Sequence, residues 1–160
     1  MDLRNKVVLM ALADITPYEN NPRNNEEAVE KVANSIKKFG FNQPIVVDKD
    51  NVIIVGHTRY LAAQELGLTE APVIVAGNLS EEQARAYRLA DNKTNEIATW
   101  DEAKLFEELE AINGIDMENF GFEKIPEAFD EDEELPSDFK ELMRTLKRHT
   151  NVLSVVMSGD

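Results

Sequence analysis

The sequence contains no cysteine. That absence excludes disulfides, thiolate nucleophiles and the common cysteine-based zinc sites, and it makes the cytoplasm the default residence. Long apolar runs are missing too, and no stretch approaches the roughly 18–20 residues of a membrane span. The opening "MDLRNKVVLMALADITP" has too short an apolar core for a secretory signal and no small-residue cleavage site. It reads as a first strand. Positive charge is scarce: 17 Lys and Arg face 31 Asp and Glu, for a net charge of −14. Residues 1–112 hold 12 basic against 19 acidic residues and residues 113–160 hold 5 against 12, so each part carries −7. Neither part is the basic surface on which non-specific nucleic-acid binding relies, which argues against direct DNA binding by this chain alone. Walker, HExxH and EF-hand sequences are also absent.

What is present is the composition of a globular protein, 42% hydrophobic and 30% charged over 160 residues. That length allows one domain with a proper core, plus appendages. "VVLMALADI" (7–15) reads as an opening strand, followed by the polar loop "TPYENNPRN". The next stretch places Val29, Val32, Ala33, Ile36 and Phe39 on one helical face, with Asn24 or Asn25 as its cap and Gly40 as its stop. "QPIVVDKDNVIIVG" predicts two strands joined by a tight Asp-Lys-Asp-Asn turn. A helix follows Gly56 to about Glu65, with Gly67 near its end, and "APVIVAGN" reads as a short buried strand. Ser80 and Gln83 stand at capping-box spacing at the start of a further helix. Thr99 and Glu102 frame another, carrying Leu105, Phe106, Leu109 and Ile112 as a stripe and ending at Asn113-Gly114. Strands alternating with helices predict a compact α/β or α+β domain.

Beyond Gly114 the character changes. Residues 116–141 carry 11 acids with only Lys124 and Lys140 to offset them, which reads as a weakly ordered linker. The predicted organisation is a domain over 1–98, an appended helix over 99–114, an acidic linker over 115–137, and a tail over 138–160. The tail combines a helix with the strand-like "VLSVVM".

Three stretches carry chemistry. The first is "IIVGHTRYLAAQELGL" (53–68), where a strand leaves through Gly56 and a helix begins at His57 or Thr58. The unpaired N–H groups of a helix start and its dipole form an anion site. Arg59 adds a forked cationic donor and Thr58 a hydroxyl. An ordinary strand–helix turn with an exposed arginine is the alternative. No Ser/His/Asp or Cys/His order accompanies His57, so the residue pattern gives no support for nucleophilic catalysis. The second stretch, "PYENNPR", brackets Glu19, Asn20 and Asn21 with prolines and ends at Arg23. It offers an acid, amides and a guanidinium, or simply a stiff surface turn. The third, "ADNKTNE" (90–96), puts Asp91 and Asn92 at a helix end. They are either oxygen ligands for Mg²⁺ or a plain helix terminus capped by Asn92.

Taken in order, "ITPYENNPR", "SIKKFGFNQPIVV", "VGHTRYLAA" and "LADNKT" resemble the boxes of the ParB/sulfiredoxin superfamily, in its ParB-like N-terminal (ParB-like nuclease) domain. The resemblance covers about residues 7–98 and implies a small mixed sheet flanked by helices, with a helical and acidic C-terminal extension. It implies a nucleotide ligand, CTP or ATP/ADP, with Mg²⁺. Gly56, His57, Thr58 and Arg59 then form the phosphate cradle, Arg23 lies near phosphate, and Asp91 and Asn92 hold the metal. Asn21 stands where partition proteins carry a hydrolysis-linked glutamine, and Glu19 falls in a Pro-x-Glu pattern similar to that of free-serine kinases. Sulfiredoxin's reactive cysteine would fall at His57, which excludes sulfinic-acid reduction. A helix-turn-helix reading domain normally follows in partition proteins, and here a helix and an acidic tail take its place. The "GHTRYLAAQELGL" form is similar to domains of phages and mobile elements, often joined to DNA methyltransferases or other DNA-modifying proteins. The resemblance therefore implies a nucleotide-binding domain serving DNA modification or maintenance, touching DNA only through a partner and no membrane, with a homodimer left open. Mg²⁺-dependent nuclease, triphosphatase and free-serine-type kinase chemistry stand as alternatives.

Overall fold

The computed structural model describes residues 6–21 and 26–123. Arg23, the expected Asn24 or Asn25 cap, most of the predicted linker and the predicted tail over 138–160 lie outside them. Four strands form one mixed sheet: β1 (Val7–Ala11), β2 (Ile45–Val47), β3 (Ile53–Val55) and β4 (Glu70–Val75), in the order β1-β4-β2-β3. β1 runs antiparallel to β4, β4 parallel to β2, and β2 antiparallel to β3. The helices of this unit are α1 (Glu26–Phe39), α2 (His57–Glu65) and α3 (Glu81–Ile97). The expected small mixed sheet flanked by helices is what the chain builds.

Strand alternation sends side chains to two faces. Ile45, Val47 and Ile53 point one way and join Val73, Ala71, Leu12, Ile15 and the α2 residues Tyr60 and Ala63 in the main core. Ile54 points the other way, where it meets Ala76 and Ala84 of α3. α1 packs on α2. Ile45, Val47, Ile53 and Val73 are fully buried, each contributing roughly 1.5–3 kcal/mol of apolar burial. The opening strand is shorter than the sequence predicts. It stops at Ala11, and a 3-10 turn at Leu12–Asp14 rotates Leu12 and Ile15 into the core.

Local signals set the ends of the elements. Gly40, at φ 89°, closes α1 as its N–H bonds the Ile36 carbonyl. The β2–β3 turn is tied by Asp48, whose Oδ1 accepts from the backbone N–H groups of Asp50 and Val52. α2 ends in a Schellman pair, with Gly67 N–H on the Gln64 carbonyl and Leu68 N–H on that of Ala63. The capping box of α3 is complete: Ser80 Oγ accepts from Gln83 N–H and Gln83 Oε1 from Ser80 N–H.

Two units emerge from the packing. The first runs to Thr99 and includes Glu118–Phe122; the second contains α4 (Glu102–Ala111). In the second, Asp101 and not Thr99 caps the helix, its carboxylate accepting from Lys104 N–H. In the first, residues 118–122 lie on α1 although they fall inside the predicted linker. Lys31 and Asn34 donate to the carbonyls of Glu118 and Asn119, and the Phe39 and Phe120 rings sit 5.3 Å apart. Phe39, expected on the core face, is half exposed and covered by this contact.

Candidate functional site

The junction of β3 and α2 is built around Gly56. Its φ of 102° is a left-handed conformation that L side chains rarely adopt, and an added Cβ would stand 3.1 Å from both Nε and Nη2 of Arg59. Glycine has no side chain with which to cap the helix. The first-turn N–H groups of α2 therefore rely on neighbours, with Tyr60 N–H the first to find a helical carbonyl, that of Gly56.

These residues line a cavity of about 140 Å³ together with Asn21, Asp91, Asn92 and Asn95. Chain segments far apart in sequence thus converge on one hollow: the 16–21 loop, the start of α2 and one face of α3. Thr16 delivers the loop by pairing beside β3, its N–H on the Asn51 carbonyl and its own carbonyl accepting from Ile53 N–H. Asn21, Gly56, His57, Thr58, Arg59, Asp91 and Asn92 all stand in the cavity wall. Glu19 does not. It lines a neighbouring cavity of about 380 Å³ with Asp48, Asp50, Glu81, Arg85 and Arg88.

Arg59 is the unusual member. Its Nη1 donates to Gln43 Oε1 at 2.7 Å, whereas its buried Nε has no hydrogen-bond partner among the described residues. Burial pushes the guanidinium below its ordinary value, and the Asp91 carboxylate acts in the opposite direction. A buried N–H donor left unpaired costs roughly 1–3 kcal/mol. A charged planar donor of this kind pairs best with an oxyanion.

His57 has a different task. Its Nε2 accepts the backbone N–H of Tyr18 at 3.2 Å. Burial, and secondarily the Arg88 guanidinium, push the imidazole down to about 4. The ring is neutral at physiological pH, consistent with an acceptor at Nε2.

Asp91 and Asn92 are not at a helix end. α3 continues five residues past Asn92 to Ile97, because polar side chains there bond back to the preceding turn. Asn92 Nδ2 donates to the Arg88 carbonyl, Thr94 Oγ1 to Ala90 and Asn95 Nδ2 to Asp91. Helical spacing then turns Arg88, Asp91, Asn92 and Asn95 toward one side. No three His, Cys, Asp or Glu gather as a metal cluster among the described residues. One carboxylate and one amide fit Mg²⁺ only where phosphate oxygens complete the shell, which is how that ion is commonly bound.

The sequence pattern gave no sign of Arg88. It is 7% exposed, donates from Nε to the Ile53 carbonyl at 2.9 Å, pairs with Asp48 at 3.4 Å and lies 4.0 Å over the Tyr18 ring. Only long-range packing identifies it, since its partners Ile53 and Asp48 stand 35 and 40 residues away.

The family described as "ParB N-terminal domain" matches residues 2–93. The chain belongs to the ParB N-terminal domain family. It is 39% identical over 79 residues to the ParB-like nuclease domain-containing protein YnaK of Escherichia coli strain K12, covering 49% of this chain and 91% of YnaK. It is 32% identical over 122 residues to a probable chromosome-partitioning protein ParB of Campylobacter jejuni, over 72% of this chain and 44% of that protein. Among solved structures, the C-terminally truncated ParB of Caulobacter crescentus complexed with CTP-gamma-S superposes with a TM-score of 0.55 at 25% identity. That match covers 66% of this chain and 63% of the other. The chain thus spans most of YnaK but less than two thirds of either partitioning protein.

Proposed function

We propose that this ParB-like domain binds a nucleotide, CTP or ATP/ADP, through its phosphates at the start of α2, and serves DNA modification or maintenance in a phage or mobile element. The observation that carries the reading is the buried Nε of Arg59, in the cavity wall at the helix start, without a hydrogen-bond partner among the described residues. Helix-start N–H groups and a guanidinium converge there, the donor set that phosphate oxygens satisfy. The cavity, at about 140 Å³, is smaller than the roughly 300–1,000 Å³ of a whole-ligand pocket. Phosphates occupy it, with sugar and base outside. The Caulobacter relative complexed with CTP-gamma-S supports the ligand class.

Within this reading Arg59 and the backbone of Gly56–Arg59 grip phosphate, with Thr58 adding its hydroxyl and Arg23 a second cation. Asp91 and Asn92 hold Mg²⁺, which neutralises phosphate charge when bound. Asn21 borders the phosphates. Glu19 lines the neighbouring cavity, so the reading gives it no chemical step. A net charge of −14 favours contact with DNA through a partner, such as a DNA methyltransferase or another DNA-modifying protein.

Calorimetry of the full chain with CTP, ATP, ADP and GTP, each with and without Mg²⁺, tests this directly. Binding of at least one nucleotide, strengthened by Mg²⁺, is expected. Asp91→Asn should remove the Mg²⁺-dependent part and leave the remainder. Absence of binding by all four would end the proposal.

A further inference from the structure

The loop 16–21 forms part of both cavities. Tyr18, Glu19 and Asn20 border the larger one and Asn21 the smaller. Its centre is held from two sides. His57, the first residue of α2, accepts the Tyr18 N–H, and the Arg88 guanidinium covers the Tyr18 ring. Arg88 is itself anchored to the Ile53 carbonyl and to Asp48. Asn21 follows from Tyr18 by a single turn, its N–H donating to the Tyr18 carbonyl at 3.2 Å.

We infer that His57 and Arg88 are positioning residues that clamp Tyr18 between them and thereby set where Asn21 stands in the cavity. Two unlike interactions hold one residue, a hydrogen bond to its backbone and a cation over its ring, so neither alone leaves it free to turn. A neutral imidazole is suited to this task because its Nε2 must accept. The ring of His57 thus contributes by placing the loop, while its backbone remains part of the helix start. The effect on ligand affinity rests on the nucleotide reading above. The clamp itself does not.

Hydrogen exchange on the full chain separates the two. Without nucleotide, His57→Leu should speed exchange of the Tyr18 amide by about tenfold, the worth of one hydrogen bond. His57→Gln places an acceptor oxygen at comparable reach and should restore protection. With CTP and Mg²⁺, affinity should fall about three- to tenfold in His57→Leu and recover in His57→Gln, whose thermal midpoint should stay within about 3 °C of the parent's. A purely structural histidine would lower the midpoint of both variants alike. Unchanged Tyr18 exchange in His57→Leu, or a glutamine variant indistinguishable from the leucine one, overturns the clamp. Should His57→Leu fail to fold, Tyr18→Ala asks the same question by removing the ring, and faster Asn21 exchange is then required. If the parent binds no nucleotide while the exchange pattern holds, the clamp stands and the nucleotide reading falls.

Discussion

Two arginines, one on each of two successive helices, show what a guanidinium inside a protein means. Arg88 on α3 is buried and supplied with a carbonyl, a carboxylate and an aromatic face. Among the described residues, Arg59 on α2 hydrogen-bonds only Gln43, and its buried Nε is unmatched. A buried cation paired to carbonyl, carboxylate and ring of its own fold is part of the architecture. A buried donor kept unpaired is a cost that folding gains nothing from, and it makes sense where a ligand supplies the missing acceptor. The region around Arg88 is therefore structural, and the region around Arg59 is the proposed site.

The comparison breaks most visibly at Arg88. Arg88→Ala removes the buried guanidinium that bonds the Ile53 carbonyl and faces the partly exposed Asp48, and losing charge-assisted bonds of this kind costs roughly 1.5–3 kcal/mol. Urea denaturation should show a loss of about 2–3 kcal/mol, and a variant as stable as the parent would mean that these bonds contribute nothing.

Gly56→Ala should act on both properties, less strongly on stability. A left-handed alanine costs roughly 1–2 kcal/mol, and its methyl forces the Arg59 guanidinium aside from a 3.1 Å contact. Denaturation should report that loss and calorimetry a weakened nucleotide. Unchanged affinity would show that the guanidinium's placement does not matter.

pH sharpens the contrast by a smaller margin. His57 titrates at about 4 in the folded chain and near 6.5 when unfolded. Below pH 6.5 the unfolded state takes up the proton first, so stability is complete above that pH and declines as pH falls toward about 4. Partial exposure of the ring reduces the effect to about 1–2 kcal/mol. Denaturation across this window should show that slope in the parent and a shallower one in His57→Gln; equal slopes would place the titrating group elsewhere.

Much of this was legible in the residues. Gly56 before a helix, Gly67 after it and Ser80 with Gln83 each specify a backbone conformation locally, and α2 spans His57–Glu65 as the spacing predicts. The resemblance assigned Asn21, Gly56–Arg59, Asp91 and Asn92 to one site, and these residues line one cavity. The illegible parts are non-local. "DNKTN" looks like a terminus because Asn and Asp favour caps, yet these side chains satisfy carbonyls of the helix they extend. Thr99 and Asp101 are both good caps, and the helix starts at the second. Arg88 reads as one more surface arginine until the fold places Ile53, Asp48 and Tyr18 around it.

The central claim is that Arg59 holds phosphate and not the fold. Calorimetric titration of Arg59→Ala beside the parent, with CTP and Mg²⁺, tests it most directly. Charge-assisted hydrogen bonds contribute roughly 1.5–3 kcal/mol each, so affinity should drop by about one to two orders of magnitude. Stability should stay within about 1 kcal/mol of the parent, since the one hydrogen bond Arg59 makes among the described residues is an exposed one to Gln43. Parental affinity in the variant, or unfolding of the domain, would contradict the account and make the arginine structural.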